Sequence, residues 1–520
     1  MSRDASNGET VGAPLRAGAP GGRTRLRDNL EYIAVLILIV LLLRQVVVEA
    51  FRIRHGSMAP TLLGLHQEIR CRNCGWVFPV GSDKAGYAGD VECPNCGDHW
   101  DGASLYDSSG ARIVFQMPEW LWNAAWGRNG LRLETADAAD RVYRGASRIF
   151  VNKFIYRLRN PRRWEVVVFL YPYYSVECES CGWRAEVRSL ENLICPDCGS
   201  RNLRVSTKNF IKRVAGLPTE TVSLRDGDVY INGVLARKPR SVQEGFWFHV
   251  FDSRFMPQHQ VEPLWDLGPA AGRAQVLSQG QLVVDGQGAS GPAMVAFARR
   301  VVDFYSYDGP GYDVAPRTFG ASGRNLVGDC RIRARARVVE CDASGGAVVL
   351  NIEDGGHDLS LAAGTGSRAG LLLEDNGHPV RQADVPSLPL HDAQWLVLEN
   401  YDDRVVARIG SREVLSYDYQ GRPGAGHAVR LGAQGARVVF DRVVIERDIY
   451  YENVAGSSAT VPTYGLKKGE YFVLGDNSPA SSDSRRWKEP GVPRENLIGQ
   501  AFLVFWPVHH MRWLAFWGSD

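Results

Sequence analysis

The chain has 520 residues, of which 45% are apolar and 23% charged, and its formal net charge is +2. These values are typical of folded protein and exclude a chain that is disordered throughout; the length is sufficient for about two to four domains. A charge so close to neutral gives no reason to expect a nucleic acid as partner.

The N-terminal part predicts a tail followed by a membrane anchor. Residues 1–28 are rich in Gly, Ala and Arg without apolar periodicity, so we expect a disordered tail. An uninterrupted apolar run lies at 32–43, and residues 29–50 come close to the roughly 20 residues that cross a bilayer. The arginines of the tail place it in the cytoplasm and the bulk of the chain outside. A buried core helix and a cleaved secretory signal are the alternatives.

Directly after this segment, HGSMAPTL at 55–62 presents one serine in a Gly-Ser-Met-x-Pro setting. Ser57 is therefore the candidate nucleophile. A serine hydroxyl attacks only when a base removes its proton and donors stabilise the oxyanion, and the same residues also occur in ordinary turns. Further segments are needed to assign a role to Ser57.

Eight of the ten cysteines form Cys-x-x-Cys knuckles, each followed by glycine. A metal knuckle needs two thiolates on one tight turn, and the glycine permits a positive φ. The knuckles pair into two four-cysteine zinc ribbons, so we expect two structural zinc ions. Disulfides are the alternative, which an exoplasmic location would permit. The predicted ligands are Cys71, Cys74, Cys93 and Cys96 in the first ribbon, and Cys178, Cys181, Cys195 and Cys198 in the second.

A long insertion between residues 241 and 463 predicts antiparallel β-structure. Apolar residues alternate in stretches such as RIRARARVVE and ARVVFDRVVIERD, with Gly and Asn/Asp turns between them. The spacing predicts a β-sandwich, and it looks like a concanavalin-like jelly roll, a fold often used for carbohydrate or protein contacts. No residue pattern in this insertion predicts a ligand site. Cys330 and Cys341 could bridge neighbouring strands or remain two free thiols.

Four separated motifs occur in order: HGSMAPTL, RIFVNKFIYRLRNPRRWEVVVF from Arg148, FIKRVAGLP from Phe210, and GDNSPASSDSRRW from Gly475. Together with the apolar segment they resemble type I signal peptidase, the membrane-bound Ser/Lys protease. The resemblance covers roughly 180 residues. It implies a mainly β fold: a β-barrel catalytic core with one N-terminal transmembrane helix, into which the ribbons and the sandwich are inserted.

The resemblance also implies roles for individual residues. Lys212 occupies the place of the general base, which needs a pKa well below that of a free lysine; Lys153 is a weaker candidate. Ser481 falls where a serine hydrogen-bonds the lysine amine, and Asp483 and Arg485 fall on a supporting ion pair. His55 stands where many relatives have an oxyanion-hole serine. Its ring could replace that hydroxyl or lie at the surface.

The predicted organisation follows from these assignments. The core comprises 51–65, 147–171, 207–240 and 464–520; the insertions are 66–146 with the first ribbon, 172–206 with the second, and 241–463 with the sandwich. The terminal run NLIGQAFLVFWPVHHMRWLAFW is interpreted as a core strand with a membrane-apposed tail, in which the adjacent His509 and His510 cannot face one site.

The predicted function is a membrane-bound serine endopeptidase that removes signal peptides from exported preproteins, cutting after small residues by a Ser/Lys acyl-enzyme mechanism without a catalytic cofactor. Its partners would be secreted preproteins and membrane lipid at the bacterial cell membrane. One alternative is an inactive envelope scaffold that binds partners through the ribbons and sandwich. Another is a cytoplasmic zinc-ribbon adaptor, which would explain the thiols but not the four motifs.

Overall fold

A computed structural model describes residues 29–36, 47–81, 91–100, 144–259, 263–277, 279–308, 325–422, 426–453 and 461–514. The chain is mainly β, as predicted. The predicted tail, residues 1–28, lies outside the described residues. So do 101–143 in the first insertion.

The first half of the chain alternates short strands with tight turns. Its strands are β1 (Val48–Arg52), β2 (His66–Arg70), β3 (Val77–Gly81), β4 (Val91–Glu92), β5 (His99–Trp100), β6 (Arg144–Gly145), β7 (Arg148–Asn152), β8 (Val166–Leu170), β9 (Tyr174–Cys178), β10 (Arg184–Val187), β11 (Leu203–Ser206), β12 (Asn209–Gly216), β13 (Thr221–Arg225), β14 (Asp228–Ile231) and β15 (Val234–Leu235). The short helices are α1 (Ile155–Leu158) and α2 (Arg240–Gln243), with a 3₁₀ turn at Gly56–Met58.

The second half contains longer strands. They are β16 (Phe248–Asp252), β17 (Trp265–Asp266), β18 (Ala274–Val276), β19 (Leu282–Asp285), β20 (Ala293–Phe297), β21 (Cys330–Cys341), β22 (Gly346–Asp354), β23 (His357–Thr365), β24 (Leu371–Asp375), β25 (His378–Ala383), β26 (Ala393–Tyr401), β27 (Arg404–Ile409), β28 (Arg412–Asp418), β29 (Ala428–Gln434), β30 (Ala436–Arg447), β31 (Thr463–Gly465), β32 (Glu470–Leu474), β33 (Val492–Pro493), β34 (Leu497–Trp506) and β35 (Arg512–Trp513). Further 3₁₀ turns are Gly268–Ala270, Ser306–Asp308, Arg494–Asn496 and Val508–His510.

One antiparallel sheet, here called the core sheet, gathers strands from both ends of the chain. Its order is β1-β7-β34-β8-β12-β32-β33, with β35 paired to β34. The central strand β8 is buried on both faces: Val166 and Val168 pack with Met58, whereas Val167 and Phe169 pack with Tyr471 in a second cluster. Burial on both faces explains why this strand is a continuous apolar run.

The inserted region forms two further sheets. The first has the order β18-β19-β30-β21-β26-β27-β28, with β16 on β30, and the second β17-β20-β29-β22-β23-β24-β25. Side chains from both sheets share one apolar core. The alternation of RIRARARVVE is visible in β21, where Ile332, Ala334 and Ala336 are buried. Such alternation fits strands with one face toward the core.

The predicted anchor is corrected at its C-terminal end. Residues 29–36 are helical and 37–46 lie outside the described residues, but Val48–Arg52 is strand β1, paired antiparallel with β7. The β-branched run before Ala50 and the backbone partners that β7 offers favour a strand here. Among the described residues, no helix combines the length and apolarity needed to cross a bilayer.

Of the two alternatives for Cys330 and Cys341, the structure has the free thiols and excludes the bridge, and the prediction that His509 and His510 cannot face one site is wrong. Cys330 and Cys341 are the ends of the same strand, β21, roughly 37 Å apart at the usual rise per residue, so they cannot bridge to each other. His509 and His510 lie in the 3₁₀ turn Val508–His510 and not in a strand. Successive side chains on such a turn are not forced to opposite faces, and both rings contact Glu68.

Candidate active site

The turn that carries Ser57 follows directly from the core sheet. After β1 the chain forms the 3₁₀ turn Gly56–Met58, closed by a 2.9 Å hydrogen bond from the Ala59 N–H to the Gly56 carbonyl. Met58 is fully buried in the same cluster as Val166. The buried methionine thus ties the turn to the core sheet, while Ser57 remains partly accessible.

Ser57 meets Lys212 although 155 positions separate them in sequence. Lys212 lies on β12, opposite Val167 of β8, and its Nζ is 2.5 Å from the Ser57 Oγ. The lysine side chain is buried, with 3% of its surface exposed. Burial lowers the pKa of Lys212 to about 8, against the opposing effect of the carboxylates of Asp483 and Asp476. A lysine with this pKa is substantially neutral in mildly alkaline solution.

Both residues line a cleft of about 780 Å³. Its lining includes the segment 50–57, with the end of β1, and the segment 207–212, with the start of β12. Among the described residues, β1 pairs only with β7 and lies at the edge of the core sheet. The cleft therefore runs beside a strand edge, where an extended peptide could add backbone hydrogen bonds.

Asp483 and Arg485 form a buried ion pair in the segment that follows β32. Two guanidinium nitrogens donate to the two carboxylate oxygens at 2.9 and 2.7 Å, and the Gly475 N–H donates to the same carboxylate at 3.0 Å. Burial alone would raise the pKa of Asp483, but the charge and hydrogen bonds of Arg485 outweigh it and hold the pKa below its usual value. Asp483 is therefore a fixed negative charge close enough to Lys212 to influence its titration.

Ser481 differs from what the resemblance implied, whereas the position of His55 is compatible with both alternatives. The Ser481 Oγ is buried and has no hydrogen-bond partner among the described residues, so the expected bond to Lys212 is not formed. Its neighbours Ala480 and Ser482 line the cleft instead. His55 is exposed and lines the cleft beside Ser57. A role for His55 at the oxyanion stays a prediction. Lys153, the weaker base candidate, pairs with Glu49 at 3.0 Å.

Asp476 and Asn477, to which the motifs assigned no role, each hold a part of the site. Asp476 forms a buried ion pair with Arg213, the neighbour of Lys212, at 2.6 Å. The Asn477 N–H donates to the Ser57 carbonyl at 3.1 Å, and its side-chain amide donates to the Gly56 carbonyl at 3.2 Å. The GDN motif could have indicated this role, because an asparagine side chain can hydrogen-bond a neighbouring backbone segment as well as form a turn.

The inserted region also contributes to the cleft, and no local signal predicted it. The 3₁₀ turn Ser306–Asp308 places Tyr307 and Asp308 in the cleft wall. A Cβ on Gly56 would lie 2.1 Å from the Tyr307 ring, so glycine is required at the turn. The Tyr307 hydroxyl donates to the Leu65 carbonyl at 2.9 Å, and Asp308 accepts from Asn477 at 2.9 Å.

The eight knuckle cysteines form two clusters that could each hold a metal ion. Within them the Cys71–Cys96 and Cys74–Cys93 sulfurs are 3.7 and 3.6 Å apart, and the Cys178–Cys198 and Cys181–Cys195 sulfurs 3.6 and 3.4 Å. These distances are too long for disulfides and fit the edges of a sulfur tetrahedron around zinc. The predicted positive φ is confirmed at all four knuckle glycines, with values from 68° to 80°.

The clusters dock on different parts of the molecule. In the first, the Asn95 amide donates to the Phe255 carbonyl at 2.7 Å, and Trp76 stacks on His249 with 3.7 Å between ring centroids. In the second, Arg188 pairs with Glu470 of β32 at 3.1 Å. The first cluster therefore sits against the inserted sheets and the second against the core sheet.

Residues 132–287 and 412–506 match the sequence model of the family described as signal peptidase, peptidase S26. Part of the chain is similar to signal peptidases. The matched ranges contain Lys212, Asp483 and Arg485 and begin after Ser57. The similarity thus includes the lysine of the cleft and the buried ion pair.

Curated relatives match over shorter stretches. Signal peptidase I of Pseudomonas fluorescens is 43% identical over 49 residues, which are 8% of this chain and 17% of that protein. The probable signal peptidase I-2 of Synechocystis sp. is 56% identical over 39 residues, again 8% and 17%. Signal peptidase I of Leptolyngbya laminosa is 36% identical over 88 residues, 16% of this chain and 41% of that protein. The chain therefore spans less than half the length of these relatives.

Solved structures match with low scores. The carbohydrate binding module CBM66 from Bacillus subtilis is 11% identical with a TM-score of 0.25, covering 36% of this chain and 97% of that chain. The Bacillus licheniformis beta-glucanase is 8% identical with a TM-score of 0.26, covering 39% and 99%. At these scores the likeness carries no argument about function.

Proposed function

We propose that this protein is a membrane-associated serine endopeptidase that removes signal peptides from exported preproteins, with Ser57 as nucleophile and Lys212 as general base. The observation that carries the proposal is the 2.5 Å contact between the Lys212 Nζ and the Ser57 Oγ at the cleft. The partial similarity to peptidase S26 signal peptidases supports the choice of substrate.

The first half-reaction follows from this contact. Neutral Lys212 takes the Ser57 proton as the Oγ attacks the scissile carbonyl carbon, giving a tetrahedral oxyanion. When the C–N bond breaks, the lysine returns the proton to the leaving amine. An acyl-enzyme remains on Ser57, and the base is again neutral.

The second half-reaction uses the same lysine. Neutral Lys212 takes a proton from water, whose oxygen attacks the acyl carbon, and then gives the proton back to the Ser57 Oγ as the ester bond breaks. No cofactor is needed for either step. Burial lowers the pKa of Lys212 to about 8. This favours both half-reactions, because a protonated lysine cannot act as a base.

The supporting residues hold this pair in position. Asn477 fixes the backbone of the serine turn through two hydrogen bonds, and the Asp483–Arg485 pair anchors the segment that carries Asn477. A fixed geometry matters because a reacting pair displaced by about 1 Å can lose on the order of a hundredfold in rate. We assign these residues positioning roles.

The substrate would bind as an extended strand. The cleft runs between the edge strand β1 and the start of β12, and its volume of about 780 Å³ accommodates several residues of a peptide. Cleavage after small residues, in the Ala-x-Ala style, is what the resemblance to signal peptidases implies. The segment before Val48 would hold the cleft near the bilayer, on the exoplasmic side, where such a peptide bond emerges.

The test is cleavage of a membrane-anchored model preprotein by the detergent-solubilised full chain. We expect Ser57→Ala and Lys212→Met each to abolish cleavage while the circular dichroism spectrum is unchanged. Lys467→Met is the matched control, because the Lys467 side chain is 74% exposed and pairs only at the surface. Cleavage at the wild-type rate in either of the first two variants would refute the proposed dyad.

A further inference from the structure

A second cluster of chemically active side chains lies outside the proposed dyad, at the joint between β2 and the turn Val508–His510. His66 and Glu68 are two positions apart on β2, so both project to the same face. Both are buried, with 1% and 4% of their surfaces exposed. The turn brings His509 and His510 to the same carboxylate, at 2.9 and 3.2 Å from the Glu68 Oε1.

The geometry of this cluster fits a metal ion. Donor atoms of His66, Glu68 and His510 all lie within 4.8 Å of one another. Zinc bound at about 2.0–2.1 Å to nitrogen and oxygen in a tetrahedron places neighbouring donors roughly 3.3–3.4 Å apart. The 3.2 Å separation of the His510 Nε2 and the Glu68 Oε1 is close to that edge length. A small movement of the His66 ring toward the other two donor atoms would bring all three ligands to the ion.

The hydrogen bonding of His66 is a second, independent indication. Its Nδ1 lies 2.8 Å from the Gly64 carbonyl, and because a carbonyl oxygen can only accept, the Nδ1 carries the hydrogen. In the neutral ring the lone pair is then on Nε2. Metal-binding histidines are commonly oriented by such a bond from their other nitrogen to a backbone carbonyl.

We propose that His66, Glu68 and His510 bind a divalent transition-metal ion, zinc by their donor chemistry, at a site separate from both cysteine clusters. Two histidines and one glutamate leave a fourth position open to water. His509 is not needed as a ligand and holds the Glu68 carboxylate by its hydrogen bond.

The location gives the ion a positioning role. β2 begins shortly after the serine turn, and at Gly64 the chain passes so close to His55 that a Cβ would lie 2.4 Å from the His55 backbone. Just beyond the histidine turn, Arg512 donates to the Thr61 carbonyl at 2.5 Å. A metal between β2 and residue 510 would therefore clamp the C-terminal turn to the chain that follows Ser57.

The experiment measures bound zinc in the full chain, purified in detergent and dialysed against zinc-buffered solution, by inductively coupled plasma mass spectrometry. We expect wild type to hold one equivalent more than His510→Ala. The matched control is His378→Ala, which alters an exposed histidine on β25 and keeps the wild-type content. Equal zinc in wild type and His510→Ala would overturn the proposal.

A second measurement guards against a folding defect in the variant. X-ray absorption at the zinc edge of the wild-type protein reports the ratio of nitrogen and oxygen to sulfur neighbours. A nitrogen and oxygen contribution that is present in the wild type and absent from His510→Ala supports the site. A wild-type signal from sulfur neighbours alone overturns it. Neither readout depends on peptidase activity, so failure of the proposed dyad and failure of this site are distinguishable.

Discussion

The pH dependence of cleavage is the sharpest consequence of the buried lysine. With a pKa of about 8, Lys212 is about 1% neutral at pH 6 and about 90% neutral at pH 9, so kcat/KM should rise roughly ninetyfold between these values and then level off. A lysine with an ordinary pKa near 10.4 would instead give a rate that still climbs about tenfold per pH unit at pH 9.

The assay follows initial rates of preprotein cleavage from pH 6 to pH 10.5 at substrate concentrations far below KM. Under these conditions the profile reports the free enzyme. Lys467→Met serves as control and should give the same profile. A stability check at each pH by circular dichroism separates titration of the base from unfolding.

The outcome that would refute this reasoning is a rate that still rises about sevenfold between pH 9 and pH 10, as a lysine with a pKa near 10.4 requires. Such a profile would mean that burial of Lys212 does not lower its pKa in solution. A profile independent of pH between 6 and 9 would equally exclude Lys212 as the base.

Three further predictions rest on the same region. Lys212→Met should be more stable than wild type by about 3 kcal/mol at pH 7 in denaturant unfolding, with the gap closing as pH rises from 8 to 10.5, because the lysine pKa is lower in the folded chain. Asp483→Asn should cost about 3–5 kcal/mol of unfolding free energy, since it leaves the buried Arg485 without its counter-charge. Gly56→Ala should lower kcat by pressing on Tyr307, and the double variant with Tyr307→Ala should recover part of it.

The changes at Asp483 and Gly56 each have a matched control. Asp418→Asn removes an exposed partner of Arg404 and should cost less than about 1 kcal/mol. Gly465→Ala adds a methyl group where no atom lies within 4 Å and should leave kcat unchanged. If a variant and its control lose the same unfolding free energy, or the same fraction of kcat, the contact on which the prediction depends is contradicted.

Features that depend on neighbouring residues were readable from the sequence. The knuckle glycines adopt the expected positive φ because the turn needs it whatever surrounds it. The alternation of apolar residues in β21 predicted a strand, and that strand forms with one face toward the core. Lys212 was singled out because its motif resembles a known one.

Features that depend on distant pairing could be decided only by the tertiary structure. The approach of Ser57 to Lys212 results from the pairing of β12 with β8 and the packing of Met58. No periodicity predicts that Tyr307, from a long insertion, closes over Gly56. Local sequence sets backbone propensity and turn chemistry, whereas contacts across hundreds of residues arise only when separate strands share one sheet and one core.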